Sequence, residues 1–155
     1  MYLEIPNRET LAIKNIILDF NGTLAVDGEL RDGVAELLNQ LAKTFNLYIV
    51  TADTYGTVTK QVASIQCELI NLSCNEQFST KGALLSFLGE RSTTAIGNGV
   101  NDSEVLKMSA LGIAVLQQEG LATEALLASD IVCHSIYDAL KLFENVNRLK
   151  ATLRA

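Results

Sequence analysis

Two patterns of apolar residues alternate along the chain. Short apolar stretches rich in β-branched residues occur at 13–18, 47–50, 68–72, 93–96, 112–116 and 130–133. Their length and branching predict buried β-strands. Between them, apolar residues recur at helical spacing, most clearly in RDGVAELLNQLAKTF, where Val34, Leu37, Leu38, Leu41 and Phe45 share one face. Further helices are predicted from a cap at Asp53 or Thr54 to about residue 64, over 83–88 behind a cap at Thr80, and over 102–109, 123–128 and 137–149. The turn residues of 21–28, NGTLAVDG, predict a loop or small hairpin. Such strict alternation predicts an α/β fold, a three-layer α/β/α sandwich around a mainly parallel, doubly wound sheet. The chain holds one proline, Pro6, and no linker or repeat, so residues 1–155 are expected to form one domain.

Composition narrows the classes of function. An apolar content of 48% supports a sizeable core, and 19% charged residues argues against disorder. The formal net charge of −6 leaves no basic footprint, so nucleic acid is not an expected partner. The opening MYLEIPNRET lacks a basic segment followed by an apolar one, and no apolar run approaches the roughly 20 residues that span a bilayer. A cytoplasmic protein with no membrane partner is expected. The three cysteines, Cys67, Cys74 and Cys133, are an odd number and fit no zinc spacing, even with His134 beside Cys133. They are expected to be small buried apolar side chains.

In doubly wound sheets ligands bind beyond the carboxyl ends of the strands. The polar residues there are Asp19, Thr51, Asn98, Asn101 and Asp102, with Lys81 leading into the third helix. A strand-end carboxylate can attack a phosphoryl group. A hydroxyl, an ammonium and backbone N–H groups suit phosphate oxygens, and carboxylate and carbonyl oxygens suit a hard cation. Taken singly, each has a plainer reading: Asn21-Gly22 as a hairpin turn, and Gly97-Asn98-Gly99 as a strand-to-helix turn without the third glycine of a dinucleotide fingerprint. No GxxxxGK[ST] loop is present.

Four segments in order, ILDFNGT, VTAD, STKG and AIGNGVNDSEVL, resemble the four motifs of the haloacid dehalogenase-like (HAD) superfamily. The stretch GNGVNDSEVLKMSALGIAV, followed by TEALLASDIV, is similar to the phosphorylation domain of P-type ATPases. The resemblance implies a Mg²⁺-dependent phosphohydrolase of small phosphorylated substrates, with Asp19 as nucleophile. It implies phosphate binding by Thr51, Ala52, Lys81 and Asn101, and a metal held by Asp19, the Asn21 carbonyl, Asn98 and Asp102. Lys81 also steadies the nucleophile.

Two departures carry consequences. Asn21 stands where the phosphatases have an acid–base Asp, and where P-type ATPases have Thr. An amide exchanges no proton near neutral pH, so slow turnover and a preference for good leaving groups are expected, with a weakly catalytic phosphate-binding or phosphoacceptor protein as the alternative. Asn98 replaces the usual metal-ligating Asp, so Mg²⁺ is expected to bind more weakly and anions more strongly than usual. Asp19 and Lys81 lie too close in sequence for an inserted nucleotide-binding domain, and 30 residues from Thr51 to Lys81 leave no room for a large cap. A capless cleft is either open or covered by a neighbouring subunit, which makes a homo-oligomer the expectation.

Overall fold

The six apolar stretches become six strands of one sheet in the computed structural model, which describes residues 1–53 and 56–155. They are β1 (Asn15–Asp19), β2 (Asn46–Thr51), β3 (Glu68–Asn71), β4 (Thr93–Gly97), β5 (Leu111–Val115) and β6 (Ile131–Cys133). Every pairing is parallel, and the spatial order is β6–β5–β4–β1–β2–β3. The α-helices among the described residues are α1 (Val34–Leu41), α2 (Thr57–Gln61), α3 (Lys81–Leu88), α4 (Ser103–Met108), α5 (Thr123–Ala128), α6 (Ile136–Lys141) and α7 (Val146–Leu153). The chain winds outward from β1 to β3, crosses back through α3 to β4, and winds outward again to β6. β1 and β4 are therefore adjacent strands whose connections leave in opposite directions, the switch point at which doubly wound sheets open a crevice.

Side-chain alternation along β1 divides the interior. Ile16 and Leu18 enter a core shared with Leu38 of α1, Ile136 of α6 and Leu149 of α7. Ile17 enters a second core with Leu84 and Leu85 of α3, Leu106 of α4 and Ala125 of α5. Burial on both faces explains why the central strands are continuous apolar runs rather than alternating ones. The expected three-layer α/β/α architecture is thus observed.

Boundaries differ in physically legible ways. The helix expected over 137–149 is two helices, because the turn between them buries Phe143 edge-on against Phe45 with ring centroids 5.5 Å apart. Asn145 caps α7 outside helical conformation, the position asparagine prefers to a helix interior. The first helix likewise stops at Leu41, and turns carry the chain to buried Phe45. Of the two expected caps of α2, Thr54 lies outside the described residues, and Asp53 Oδ2 accepts from the Val58 N–H at 3.3 Å. A short antiparallel pair, Tyr2–Leu3 with Leu11–Ala12, was not expected from sequence pattern.

The small hairpin forms as Ala25–Val26 paired with Glu29–Leu30. Its tip, Asp27 (φ 52°) and Gly28 (φ 79°), has the two positive φ values that a type I′ turn requires. Among the described residues nothing larger stands between β1 and α1, so no large cap is inserted there. Only Cys133 of the three cysteines is buried; Cys67 is half-buried and Cys74 exposed, which corrects the expectation for those two. Among the described residues no helix is long and apolar enough to cross a membrane.

Candidate active site at the strand switch point

Asp19 is the last residue of β1, and its strand partner on β2 is Val50. Thr51 is one position further along β2, so both side chains come to the same edge of the sheet. Both are buried, and the Thr51 hydroxyl oxygen accepts from the Asp53 N–H at 3.1 Å. Asn98 to Asp102 follow β4, the strand on the other side of β1. Lys81, expected in the loop, is the first residue of α3, which starts two positions before the expected 83, behind Thr80, whose side chain accepts from the Ala83 N–H.

These placements assemble a buried charge cluster. Lys81 Nζ donates to Asp19 Oδ1 at 2.6 Å and also to Asp102 Oδ1. An ammonium at a helix N-terminus faces the positive end of the helix dipole, which is unfavourable by itself. Two carboxylates within hydrogen-bonding reach overcome this. Burial would lower the Lys81 ammonium, but the charges of Asp19 and Asp102 hold it above its ordinary value. Asp19 is pushed from 3.8 up to about 7 by burial and by the Asp102 carboxylate, against the opposing pull of Lys81. One cation shared by two carboxylates leaves this buried cluster one charge negative, which is the physical reason for both directions.

Asp102 has no oxygen to spare. Its Oδ1 takes Lys81, and its Oδ2 accepts from the N–H groups of Asn98 at 3.0 Å and Gly99 at 2.8 Å. It anchors both the lysine and the loop after β4. A Cβ at Gly97 would come within 2.3 Å of Asp102 Cγ, so glycine there is what lets the carboxylate reach inward.

Thr23 is a site residue that the sequence reasoning missed, although it lies within the quoted ILDFNGT. Its hydroxyl is 3.4 Å from Asp19 Oδ2 and 3.2 Å from Asn98 Oδ1, so these two oxygens converge on one point. Asn98 Nδ2 donates to the Gly120 carbonyl at 3.1 Å, which turns its oxygen toward Asp19. A Cβ at Gly22 (φ 79°) would meet Asn98 Nδ2 at 2.4 Å, so only glycine admits this approach. The spacing Asp-x-x-x-Thr was the available signal; the contact itself depends on β1 and β4 being neighbours. Asn21, Ala52 and Asn101 are exposed at the rim, and the Asn21 side chain makes no hydrogen bond among the described residues. Asn101 folds back, its Oδ1 2.5 Å from where a Gly99 Cβ would stand.

The two oxygens that converge on the Thr23 hydroxyl are Asp19 Oδ2 and Asn98 Oδ1. That chemistry fits a hard cation such as Mg²⁺. Among the described residues no group of three or more His, Cys, Asp or Glu side chains is arranged for a metal.

No family model matches the sequence. The 3-deoxy-D-manno-octulosonate 8-phosphate phosphatase of Moraxella catarrhalis, solved with magnesium, phosphate and the sugar acid, superposes with a TM-score of 0.73. It is 17% identical, over 92% of this chain and 94% of that one. The cobalt-bound deoxy-D-mannose-octulosonate 8-phosphate phosphatase of Haemophilus influenzae gives a TM-score of 0.71 at 12% identity, over 93% and 91% of the two chains. A phosphatase of the HAD enzyme superfamily from Bacteroides thetaiotaomicron gives 0.60 at 10% identity, over 88% and 94%. The chain has the HAD-like fold. Two uncharacterized proteins of Methanocaldococcus jannaschii are closer in sequence. MJ0073 is 55% identical over 60 residues, which are 39% of this HAD-like chain and 64% of that protein. MJ0072 is 49% identical over 39 residues, 25% of this chain and 89% of that protein, and the two belong to one family.

Proposed function

We propose that the protein is a Mg²⁺-dependent phosphohydrolase of small phosphorylated molecules that works through a phosphorylated Asp19. The observation that carries this reading is the buried Asp19–Lys81–Asp102 cluster at the switch point of a fold shared with phosphatases. Asp19 Oδ2, Asn98 Oδ1 and the Asn21 main-chain carbonyl would hold the cation. Mg²⁺, when bound, supplies positive charge that favours ionised Asp19 and neutralises phosphoryl oxygens.

The chain's own residues then account for the chemistry. Asp19 forms the new bond to phosphorus through Oδ1, the oxygen not assigned to the cation, while Lys81 steadies the carboxylate and fixes its orientation. The Thr51 hydroxyl and the Ala52 N–H, with Asn101 at the rim, bind the phosphoryl oxygens. The bond to the leaving oxygen breaks with its electron pair on that oxygen, and Asn21 has no proton to give it. Water then attacks phosphorus, Asp19 leaves as a carboxylate, inorganic phosphate is released and the water's proton goes to solvent. The missing proton donor, together with the P-type ATPase-like stretch 97–115, supports a long-lived aspartyl phosphate and good leaving groups.

Phosphate release from acetyl phosphate and an aryl phosphate, with Mg²⁺ and with chelator, tests the reading. Turnover is expected only with Mg²⁺ and is expected to vanish in Asp19→Asn; equal rates in the two proteins would sink it. Asn21→Asp is expected to accelerate hydrolysis of an alkyl phosphate by roughly 10²–10⁴-fold while changing acetyl phosphate little. A second reading, a phosphoacceptor or phosphate-binding protein with negligible turnover, is favoured by the same exposed amide at Asn21. Stable capture of beryllium fluoride without turnover distinguishes it.

A further inference from the structure

The loop after β5 reaches both segments that carry the site, and its main tool is Gln117. This half-buried amide uses all of its hydrogen-bonding capacity. Nε2 donates to the main-chain carbonyls of Gly22 at 2.9 Å and Thr23 at 2.7 Å. Oε1 accepts from Arg31 Nη1 at 2.7 Å and from the Ile136 N–H at the start of α6 at 2.9 Å. Three residues on, the Gly120 carbonyl takes Asn98 Nδ2, and the Ala122 N–H donates to the Asn98 carbonyl at 2.9 Å. One loop thus grips the turn after Asp19 on one side and Asn98 on the other.

We infer that Gln117 is a positioning residue, whose two donated hydrogen bonds fix the Gly22–Thr23 segment and through it the Thr23 hydroxyl and the Asn21 carbonyl. The turn needs such a holder. The N–H groups of Gly22 to Ala25 bond to the Ala25 and Phe20 carbonyls within the turn, but the carbonyls of Gly22 and Thr23 face outward and meet the Gln117 amide. The Thr23 hydroxyl lies between Asp19 Oδ2 and Asn98 Oδ1 only while its main chain is held at the correct depth. Geometric tolerance is small for an attack on phosphorus; a displacement of about 1 Å costs on the order of 10²-fold in rate.

The donor and acceptor halves of Gln117 are separable by substitution, which distinguishes positioning from support of the fold. Gln117→Glu keeps both acceptor contacts, to Arg31 and to the start of α6, and sets a carboxylate oxygen against the Gly22 and Thr23 carbonyls in place of the donation. Gln117→Met removes both halves. In both variants, amide hydrogen exchange over 20–25 is expected to accelerate about tenfold or more relative to wild type, with exchange in β4 and α4 unchanged. The melting temperature is expected to fall in both variants, since each leaves the Gly22 and Thr23 carbonyls without a donor. A structural role alone would leave Gln117→Glu close to wild type in exchange, and that result overturns the inference whether or not the protein turns over.

The catalytic part of the inference rests on the phosphohydrolase reading. Where wild type shows Asp19-dependent turnover, kcat on acetyl phosphate is expected to fall by about tenfold or more in Gln117→Glu, with KM within about threefold. Unchanged kcat overturns the positioning role. Absence of turnover in wild type overturns the phosphohydrolase reading and leaves the exchange measurement to decide for Gln117.

Discussion

The two ends of the central sheet bury polar groups in opposite styles. At the carboxyl end of the strands, Asp19, Lys81 and Asp102 form a charged cluster in which one cation serves two carboxylates. At the amino end, Asn15, Asn46 and Thr93 form a neutral cluster. There Asn15 Nδ2 donates to the Leu88 carbonyl and to Thr93 Oγ1, both at 3.3 Å, and Asn15 Oδ1 accepts from Asn46 Nδ2 at 2.9 Å. Thr93 in turn donates to the Gly89 carbonyl at 2.8 Å. Neutral groups that satisfy each other contribute stability and have little chemistry to offer. A buried cluster left with excess charge gains from a further cation, and that imbalance is what marks the carboxyl end as the candidate site.

Substitutions at the two ends are expected to separate activity from stability. The largest effect belongs to Asp19→Asn, which removes the proposed nucleophile. Phosphate release is expected to drop by roughly 10³-fold or more while the protein melts no lower than wild type, because Lys81 and Asp102 remain as a neutral pair. A melting temperature several degrees lower would mean that the charged end is mainly structural. Lys81→Met acts in the opposite sense and leaves two buried carboxylates without a counter-ion. Its cost is expected to be about 3–5 kcal/mol by denaturant titration near neutral pH, and smaller under acid conditions where the carboxyls protonate.

Wild type itself has a pH signature. In chelator, the folded-state carboxyl of Asp19 is at about 7 against an ordinary 3.8. The folded state therefore holds this proton more tightly than the unfolded chain. The associated stability is complete below about 3.8 and is lost as pH rises through about 7. Melting temperature in chelator is expected to fall over that window, and Asp19→Asn is expected to flatten the slope. A rise with pH, or the same slope in the variant, would remove Asp19 as the cause.

The amino end is expected to respond only in stability. Asn15→Ala breaks the neutral cluster and is expected to cost about 1–3 kcal/mol, with kcat unchanged. The smallest effect is a gain. The Thr94 hydroxyl is fully buried and has no hydrogen-bond partner among the described residues, so Thr94→Val is expected to stabilise by about 1 kcal/mol. Loss of activity in either variant would show that the two ends are coupled through β4.

By itself the sequence determined the local elements and the inventory of the site. Six apolar stretches, helical spacing between them and four short motifs named Asp19, Thr51, Lys81, Asn98 and Asp102 before any strand was paired, because periodicity and turn chemistry are properties of neighbours in the chain. Tertiary structure decided the rest. Placing β1 between β2 and β4 is what lets one ammonium meet two carboxylates that are far apart in sequence. The same adjacency sets the Thr23 hydroxyl between Asp19 and Asn98, engages both oxygens of Asp102 and puts the Gln117 amide on the turn after Asp19. The break between α6 and α7 has the same origin, since it serves the burial of Phe143 against Phe45. Side-chain contacts across strands depend on which surfaces the folded chain can bury together, and no local pattern carries that information.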